Sequence, residues 1–241
     1  QAHGVAENLL GFSGLQLPRP PSPRLPSMGD LEEVIANCSE SDDIDVSDFK
    51  IGDEGMVKLA EAMKKGFVAT EVYLDGNDIS DKGVKALCEA IEKNKTVGLL
   101  SLVGNNVSDE GAKSLAELMK KQTSMSELDL RTNKIKDAGA KAFAAAIAED
   151  TPLKKLLLKE NDVSSEAIPD ICSAIKKNTN LQILDLDNNL IGGPGYEMLM
   201  KATAETKTSD PAKKTKEVTA VYQRVGFRAD GVNVADPKLR M

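Results

Sequence analysis

Apolar residues through the middle of the chain recur with a period of 28 residues, and each period contains two different spacings. First, apolar residues alternate with other residues, as at Leu156 and Leu158, which is typical of a strand with one buried face. The spacing then becomes helical, as at Val84, Leu87 and Ile91. Each period therefore predicts a short strand, a turn and a helix of about three turns.

An asparagine marks the register of this repeat. It recurs every 28 residues, at Asn77, Asn105, Asn133, Asn161 and Asn189. The pattern L-x-x-L-x-L-x-x-N leads to each one, with some apolar exchange. One period earlier Phe49 takes the place of the asparagine, so the first of six units is degenerate, as terminal repeats often are. We expect each anchor asparagine to satisfy backbone groups in the turn that leaves the strand.

A second shared stretch follows each anchor. It places an apolar residue two positions later, an acidic residue four later and a glycine six later, as in Ile79, Asp81 and Gly83. Ser165 and Gly193 replace the acidic residue in the last two units, and Ala167 replaces one glycine. The Ser or Asp beside the helix start suits an N-cap, and Asn94 and Asn178 suit the far end of the helix.

The complete unit, L-x-x-L-x-L-x-x-N-x-I-x-D-x-G followed by a helix, resembles the ribonuclease-inhibitor type of leucine-rich repeat. Similar units occur in the repeat domains of intracellular immune receptors, Ran GTPase-activating proteins and tropomodulins. The resemblance implies an α/β fold: a right-handed solenoid with parallel strands on the concave face and helices on the convex face. One unit cannot bury both its strand and its helix alone, so neighbouring units must stack. The resemblance also implies protein binding, without fixing the partner.

The chain divides into three predicted segments. Residues 1–40 form a proline-rich, extended tail, within which residues 31–38 can make a short helix over the first repeat. Residues 41–206 hold the six repeats. Residues 207–241 start as a basic linker and end in a segment that either docks on a partner or covers the last repeat.

Charge is distributed unevenly over these segments. The whole chain carries a formal charge of −7, residues 1–30 are neutral, and residues 206–241 hold eight basic against four acidic residues, so the remainder carries −11. An acidic body argues against nucleic-acid binding, because phosphates need a positive surface. It fits a basic protein partner instead. Aromatic residues are only 3% and Trp is absent, which suits thin aliphatic layers.

Strand residues that point away from the helices are the first candidates for binding. They are Asp45, Tyr73, Asp75, Leu99, Ser101, Val103, Asp129, Arg131, Lys155, Leu157, Lys159, Asp185 and Asp187. Their signs change along the face, with an acidic beginning, an apolar third unit, a basic cluster (Arg131, Lys155, Lys159) and an acidic end. Such changes would give a partner its register. The alternative is that this is a solvated face without a partner.

Both tails carry further candidates. Leu17, Pro20, Pro21 and Pro23 lie in a run that could bind a proline-reading module or act as a spacer. Tyr222, Arg224, Phe227 and Arg228 mix basic and aromatic character, which fits a docking strip or a cover over the last repeat.

Nothing in the sequence predicts catalysis, a cofactor, a metal or a small-molecule substrate. Cys88 and Cys172 lie 11 residues after an anchor, where other units have alanine or methionine, so they are interpreted as core residues. The single histidine, His3, lies in the tail without metal-ligand spacing around it. Asp129, Asp185 and Asp187 are placed on an open sheet, where we expect no enclosure to raise a pKa.

The leading hypothesis is a non-enzymatic interaction or scaffold subunit of a larger assembly, binding proteins through the concave face and both tails. A cytoskeletal regulator resembling tropomodulin and a regulator of a small GTPase or other enzyme are the alternatives. We expect an intracellular location, cytoplasmic or cytoskeletal, with an organelle interior after removal of a targeting segment also open. No run reaches the roughly 20 apolar residues that span a bilayer, and the sequence begins at Gln1 rather than Met.

Overall fold

The computed structural model describes residues 31–205 and 219–221. Short strands alternate with helices along the chain. The strands are β1 (Asp43–Asp45), β2 (Glu71–Tyr73), β3 (Leu99–Ser101), β4 (Glu127–Asp129), β5 (Lys155–Leu157), β6 (Ile183–Asp185) and β7 (Thr219–Val221). The helices are α1 (Leu31–Asn37), α2 (Gly52–Met63), α3 (Asp81–Ile91), α4 (Asp109–Lys121), α5 (Asp137–Ala148), α6 (Ile168–Lys177) and α7 (Gly193–Glu205).

All described strands belong to one parallel sheet in chain order, from β1 to β7. From β1 to β6 each strand pairs with the next at an offset of 28 residues, so that Asp43 lies beside Glu71 and Glu71 beside Leu99. Each helix packs against the next helix along the chain. The predicted α/β architecture of stacked strand–helix units is therefore confirmed.

The core lies between the sheet and the helices and is almost wholly aliphatic. The central strand residues Val72, Leu100 and Leu128 are fully buried. Helix residues such as Leu87 and Phe143 pack onto them from the other layer. Each unit contributes one such layer, which is why the chain can do without tryptophan.

Anchor asparagines join each repeat to the one before it. Asn105 accepts hydrogen bonds at Oδ1 from the backbone N–H groups of Asn77 (3.1 Å) and Ile79 (3.0 Å). Its Nδ2 donates to the carbonyl oxygens of Leu74 (2.8 Å) and Val103 (3.3 Å). The expected backbone role is confirmed, and three of these four bonds reach into the preceding unit.

The degenerate first unit follows from the same geometry. No strand–helix unit precedes it among the described residues, so an asparagine at position 49 would have no preceding turn to bond. Phe49 is buried instead. The short helix α1 lies at this end, and Leu31, Val34 and Ile35 pack against the core.

The acidic residue and the glycine of the shared pattern work as a pair across each junction. Asp81 Oδ1 accepts hydrogen bonds from the backbone N–H groups of Ser108 (2.8 Å) and Gly111 (2.9 Å), and its Oδ2 accepts from the Ser108 hydroxyl (2.6 Å). A Cβ on Gly111 would lie 2.5 Å from Asp81 Oδ1. Asp53, Asp81 and Asp109 thus cap the helix of the next repeat, and the glycine leaves each of them room.

Capping within a single repeat, as the sequence suggested, is therefore only part of the arrangement. Ser80 does accept a hydrogen bond from the backbone N–H of Lys82 in its own helix. Ser80 itself, however, is held by Asp53 of the preceding repeat through both its backbone N–H and its hydroxyl.

The exceptional Ala167 delays its helix. Helices α3, α4 and α5 begin four residues after their anchors, whereas α6 begins at Ile168, seven residues after Asn161. Asp137 bonds the backbone N–H and hydroxyl of Ser164 at this junction. The N–H of Ala167 donates to the carbonyl oxygen of Ser164 instead. A side chain at the glycine position is accommodated by moving the helix start.

The residue before each anchor has a left-handed backbone in every unit. Positive φ angles occur at Asp48, Gly76, Gly104, Thr132, Glu160 and Asn188. Thr132 is β-branched, and this conformation is unfavourable for it by about 1 kcal/mol or more.

We expect Thr132→Asn to stabilise the protein by about 0.5–1 kcal/mol, because asparagine tolerates the left-handed region. The sixth unit already uses Asn188 at this position, with φ of 52° against 56° at Thr132. Urea denaturation of the two proteins measures the difference. The exposed Thr123→Asn is the matched control and should change little; equal stability of Thr132→Asn and the wild type would contradict the strain.

Candidate protein-interaction face

The side of the sheet that points away from the helices, here called the strand face, is built from rows of side chains. Register aligns the first row across six strands as Asp43, Glu71, Leu99, Glu127, Lys155 and Ile183. It aligns the second as Asp45, Tyr73, Ser101, Asp129, Leu157 and Asp185. Just after the strands come Ser47, Asp75, Val103, Arg131, Lys159 and Asp187. The structure thus places all thirteen predicted strand residues on one surface.

Several of these residues are much less accessible than an open sheet suggests. Ser101, Asp129 and Asp187 are each 5% exposed or less, and Asp75 is 8% exposed. Neighbouring strands lie about 4.8 Å apart, so side chains of one row pack against each other laterally. Asp75, for example, accepts hydrogen bonds from the Ser101 hydroxyl (2.5 Å) and the Val103 N–H (3.0 Å).

Two of the three members of the predicted basic cluster form ion pairs with acidic residues of the same face. Arg131 Nε donates to both carboxylate oxygens of Asp129 (2.9 and 3.0 Å), and Nη2 donates to Oδ2 (2.7 Å). Lys155 Nζ lies 2.9 Å from Glu127 Oε2. These bonds fix the direction of both basic side chains, and the half-buried Lys159 stands next to them.

The acidic end also differs from expectation. Burial is the main cause that raises the pKa of Asp185, and the charge of Asp187 adds to it. The Asp187 N–H bond to Asp185, with the charges of Lys159 and Arg131, acts in the opposite direction. The expectation that nothing on this sheet would raise a pKa is therefore wrong, because packing within the rows removes water from the carboxylate.

The face is most accessible at its first two strands, where four residues form what we call the acidic patch: Asp43, Asp45, Glu71 and Tyr73. Asp43 and Glu71 are exposed, and the other two are half-buried. The Tyr73 hydroxyl donates to Glu71 Oε2 at 2.6 Å. Burial first, then Glu71, Asp45 and Glu127, raise the pKa of Tyr73, so its hydroxyl stays protonated. The patch offers carboxylates around an aromatic ring.

Two signals for these contacts were present in the sequence. Glu127 and Lys155 are opposite charges one period apart, which the register places side by side. Asp129 and Arg131 are two residues apart on the same side of the chain. The strand rule locates both pairs on the face, but only the structure shows that the pairs form.

Among the described residues, the remaining candidates are the two cysteines Cys88 and Cys172. Cys88 and Cys172 are buried on helix faces like Ala60 and Ala116, as predicted, and burial raises the pKa of Cys88 to about 12. Within residues 31–205 and 219–221 no group of three or more His, Cys, Asp and Glu side chains is placed to hold a metal. His3 and the tail candidates Leu17, Pro20, Pro21, Pro23, Tyr222, Arg224, Phe227 and Arg228 lie outside the described residues.

None of the helices in the described part of the chain has the length and apolar character needed to span a bilayer.

Four stretches of the chain are similar to a known family of repeats. Residues 70–88, 93–116, 121–144 and 177–200 match the family described as Leucine Rich repeat. The match is to leucine-rich repeats in general, and the ribonuclease-inhibitor type stays a prediction. No curated protein matches the chain.

One similar solved structure is leiomodin-1 actin-binding site 2. It shares 20% identity with a TM-score of 0.45, over 74% of this chain and 89% of that chain. A similarity this low says nothing about what the present chain binds.

Proposed function

We propose that this chain, which carries leucine-rich repeats and the protein-binding role that they suggest, is a non-enzymatic module that binds basic protein partners through its strand face. One observation carries the proposal. The rows of the strand face hold eight carboxylates against three basic side chains, and two of the three are already paired within the face.

Electrostatics favours such a partner in two ways. A surface of one sign raises the association rate of a partner of the opposite sign and disfavours like-charged competitors. The ion pairs of Arg131 and Lys155 also hold those side chains in one direction before binding. Less side-chain entropy is then lost when a complex forms.

The proposed setting is a larger intracellular assembly in which the module acts as a scaffold subunit. Cys38, Cys88 and Cys172 are all buried as core residues. Use of cysteine as a small apolar residue fits a reducing compartment.

Charge reversal in the acidic patch tests the proposal. We expect Asp43→Lys with Glu71→Lys to lose the proteins captured from native cells by the wild-type chain, because a basic partner would then be repelled. The matched control is Glu54→Lys with Glu61→Lys, which makes the same charge change at two exposed residues of α2. Captured proteins are quantified by mass spectrometry at two salt concentrations.

The control should retain the same partners, and their capture should weaken with salt. Equal capture by the wild type and the patch variant, or equal loss in patch variant and control, would exclude the acidic patch. Lys159→Glu tests the remaining basic part of the face, since Arg131 and Lys155 cannot be reversed without breaking their ion pairs.

A further inference from the structure

Leu99 is an apolar residue between two acidic neighbours in the first row of the strand face. Register places it beside Glu71 of β2 on one side and Glu127 of β4 on the other. Its side chain is half-buried, so part of its apolar surface is exposed. Two strand spacings, about 10 Å, separate the Cα atoms of the two glutamates. The row therefore contains an apolar position with a carboxylate on each side.

One carboxylate oxygen of Glu127 has no hydrogen-bond donor. Glu127 is 8% exposed, and its Oε2 accepts a hydrogen bond from Lys155 Nζ at 2.9 Å. Among the described residues, no group donates to the buried Oε1. A buried carboxylate oxygen without a donor is unfavourable, so Oε1 is an acceptor that a bound N–H group would satisfy. Because Glu127 stands on the outer side of the sheet, rotation of side chains gives a donor access without movement of a strand.

Tyr73 adds an aromatic ring beside these carboxylates. Its hydroxyl donates to Glu71 Oε2, and this bond holds both side chains in one direction. Burial and the bond to Glu71 are the main causes that raise the pKa of Tyr73, and the charge of Glu127 contributes. The Glu127 carboxylate therefore lies within electrostatic reach of the tyrosine hydroxyl. Aromatic faces attract guanidinium and ammonium groups, so the ring and the carboxylates favour the same kind of ligand.

The charge around Leu99 is negative although basic residues lie nearby. From β2 to β4, with the residue that follows each strand in the third row, the face holds Arg131 and the carboxylates of Glu71, Asp75, Glu127 and Asp129. Lys155 on β5 is the neighbouring cation, and both basic side chains are already bonded to carboxylates of the face. A further cation that enters between Glu71 and Glu127 is therefore attracted.

We propose that the Leu99 site, formed by Glu71, Tyr73, Leu99 and Glu127, binds the side chain of one arginine of a basic protein partner. The inference rests on the proposed function and names the group that the strand face recognises. The aliphatic stem of the arginine lies on Leu99, and its guanidinium donates to Glu71 and to Oε1 of Glu127. Arginine fits better than lysine because its planar guanidinium donates to two carboxylates at once, whereas an ammonium is a point charge.

Titration of the isotopically labelled full chain with three blocked tripeptides, followed by NMR, tests the site. The peptides are glycyl-arginyl-glycine, its lysine analogue and its citrulline analogue, which has the shape of arginine without the charge. We expect the arginine peptide to shift the methyl signals of Leu99 with a millimolar dissociation constant and the lysine peptide to bind several-fold more weakly. The citrulline peptide should cause no shift. Equal binding of any two peptides, or no shift of Leu99 with arginine, would overturn the proposal.

Two pairs of variants locate the binding on the face. Glu127→Gln should weaken the arginine peptide about tenfold, because a charged hydrogen bond is lost. Asp43→Asn removes the same charge from the same row, two strands from Leu99, and should weaken binding less than about twofold. Leu99→Ala should weaken binding several-fold, whereas Ile183→Ala, at another half-buried apolar position of the row, should leave it unchanged. NMR signals from outside the face check that each variant is folded.

Failure of the Leu99 site and failure of the proposed function give different results. If Glu127→Gln and Asp43→Asn weaken the arginine peptide equally, the site is wrong, while loss of captured proteins on reversal of the acidic patch still supports binding of basic partners. If that reversal leaves capture unchanged, the proposed function fails, and the site as part of a protein-binding face fails with it.

Discussion

Replacement of Asn105 by alanine is expected to reduce the free energy of unfolding by about 3–5 kcal/mol. Asn105 is 5% exposed and satisfies two backbone N–H groups and two carbonyl oxygens in and around the turn. Each buried group left without a partner costs about 1–3 kcal/mol, with partial relief where water enters. The substitution removes hydrogen bonds from the preceding unit as well as from the unit that contains Asn105.

Chemical denaturation with a fit of both midpoint and slope measures this loss. Asn106→Ala, the next residue along the chain and half-buried, is the matched control and should cost less than about 1 kcal/mol. If Asn105→Ala reduced the free energy of unfolding no more than the control, the hydrogen bonds of Asn105 would contribute little more than hydrogen bonds to water do.

Gly139→Ala is expected to reduce the free energy of unfolding by about 2–4 kcal/mol, the second largest effect after that of Asn105→Ala. The added Cβ would lie 2.8 Å from each of Ala112 Cβ, Asp109 Oδ1 and Ile135 Cγ2. Overpacking of this kind typically costs about 1–3 kcal/mol. The hydrogen bond from the Gly139 N–H to Asp109 Oδ1, 2.8 Å long, would also be strained. Alanine's better helix propensity, about 1 kcal/mol, does not compensate.

Gly193→Ala is the matched control, because a Cβ at Gly193 meets nothing within 4 Å at the start of α7. It should be neutral or stabilise by up to about 1 kcal/mol. Thermal melting of both variants decides the comparison. A Gly139→Ala protein as stable as Gly193→Ala would show that the junction accommodates an added Cβ without loss of stability, for example by a later helix start of the kind seen in α6.

The fold could be predicted well from the sequence because the same 28-residue pattern of strand, turn and helix occurs in successive units. The 28-residue spacing of the asparagines established the strand register that Asp43 and Glu71 display. The spacing did not predict in which unit the hydrogen-bond partners of each side chain lie. Asp81 begins its own helix yet bonds Ser108 and Gly111 of the next repeat. A period shows which residues are equivalent, whereas contacts across a junction depend on how one unit is displaced against the next.

The candidate face shows the same limit. Alternation along the strands located its residues, because successive side chains point to opposite sides. Burial of Asp129 and its pairing with Arg131 could not be predicted, since they depend on lateral packing between strands. The partial exposure of the face, concentrated in the acidic patch, is therefore information that only the structure supplies.

The replacement of aspartate by Ser165 has a consequence for how the array comes apart. At interior junctions an aspartate carboxylate binds two or three donors of the following unit, whereas Ser165 Oγ accepts a single bond from the Gly192 N–H at 3.0 Å. Neighbour coupling in a one-dimensional array sets where opening starts. Hydrogen exchange should therefore begin at the sixth unit and advance toward the first, because the sixth unit is held to its neighbour by fewer hydrogen bonds at this position.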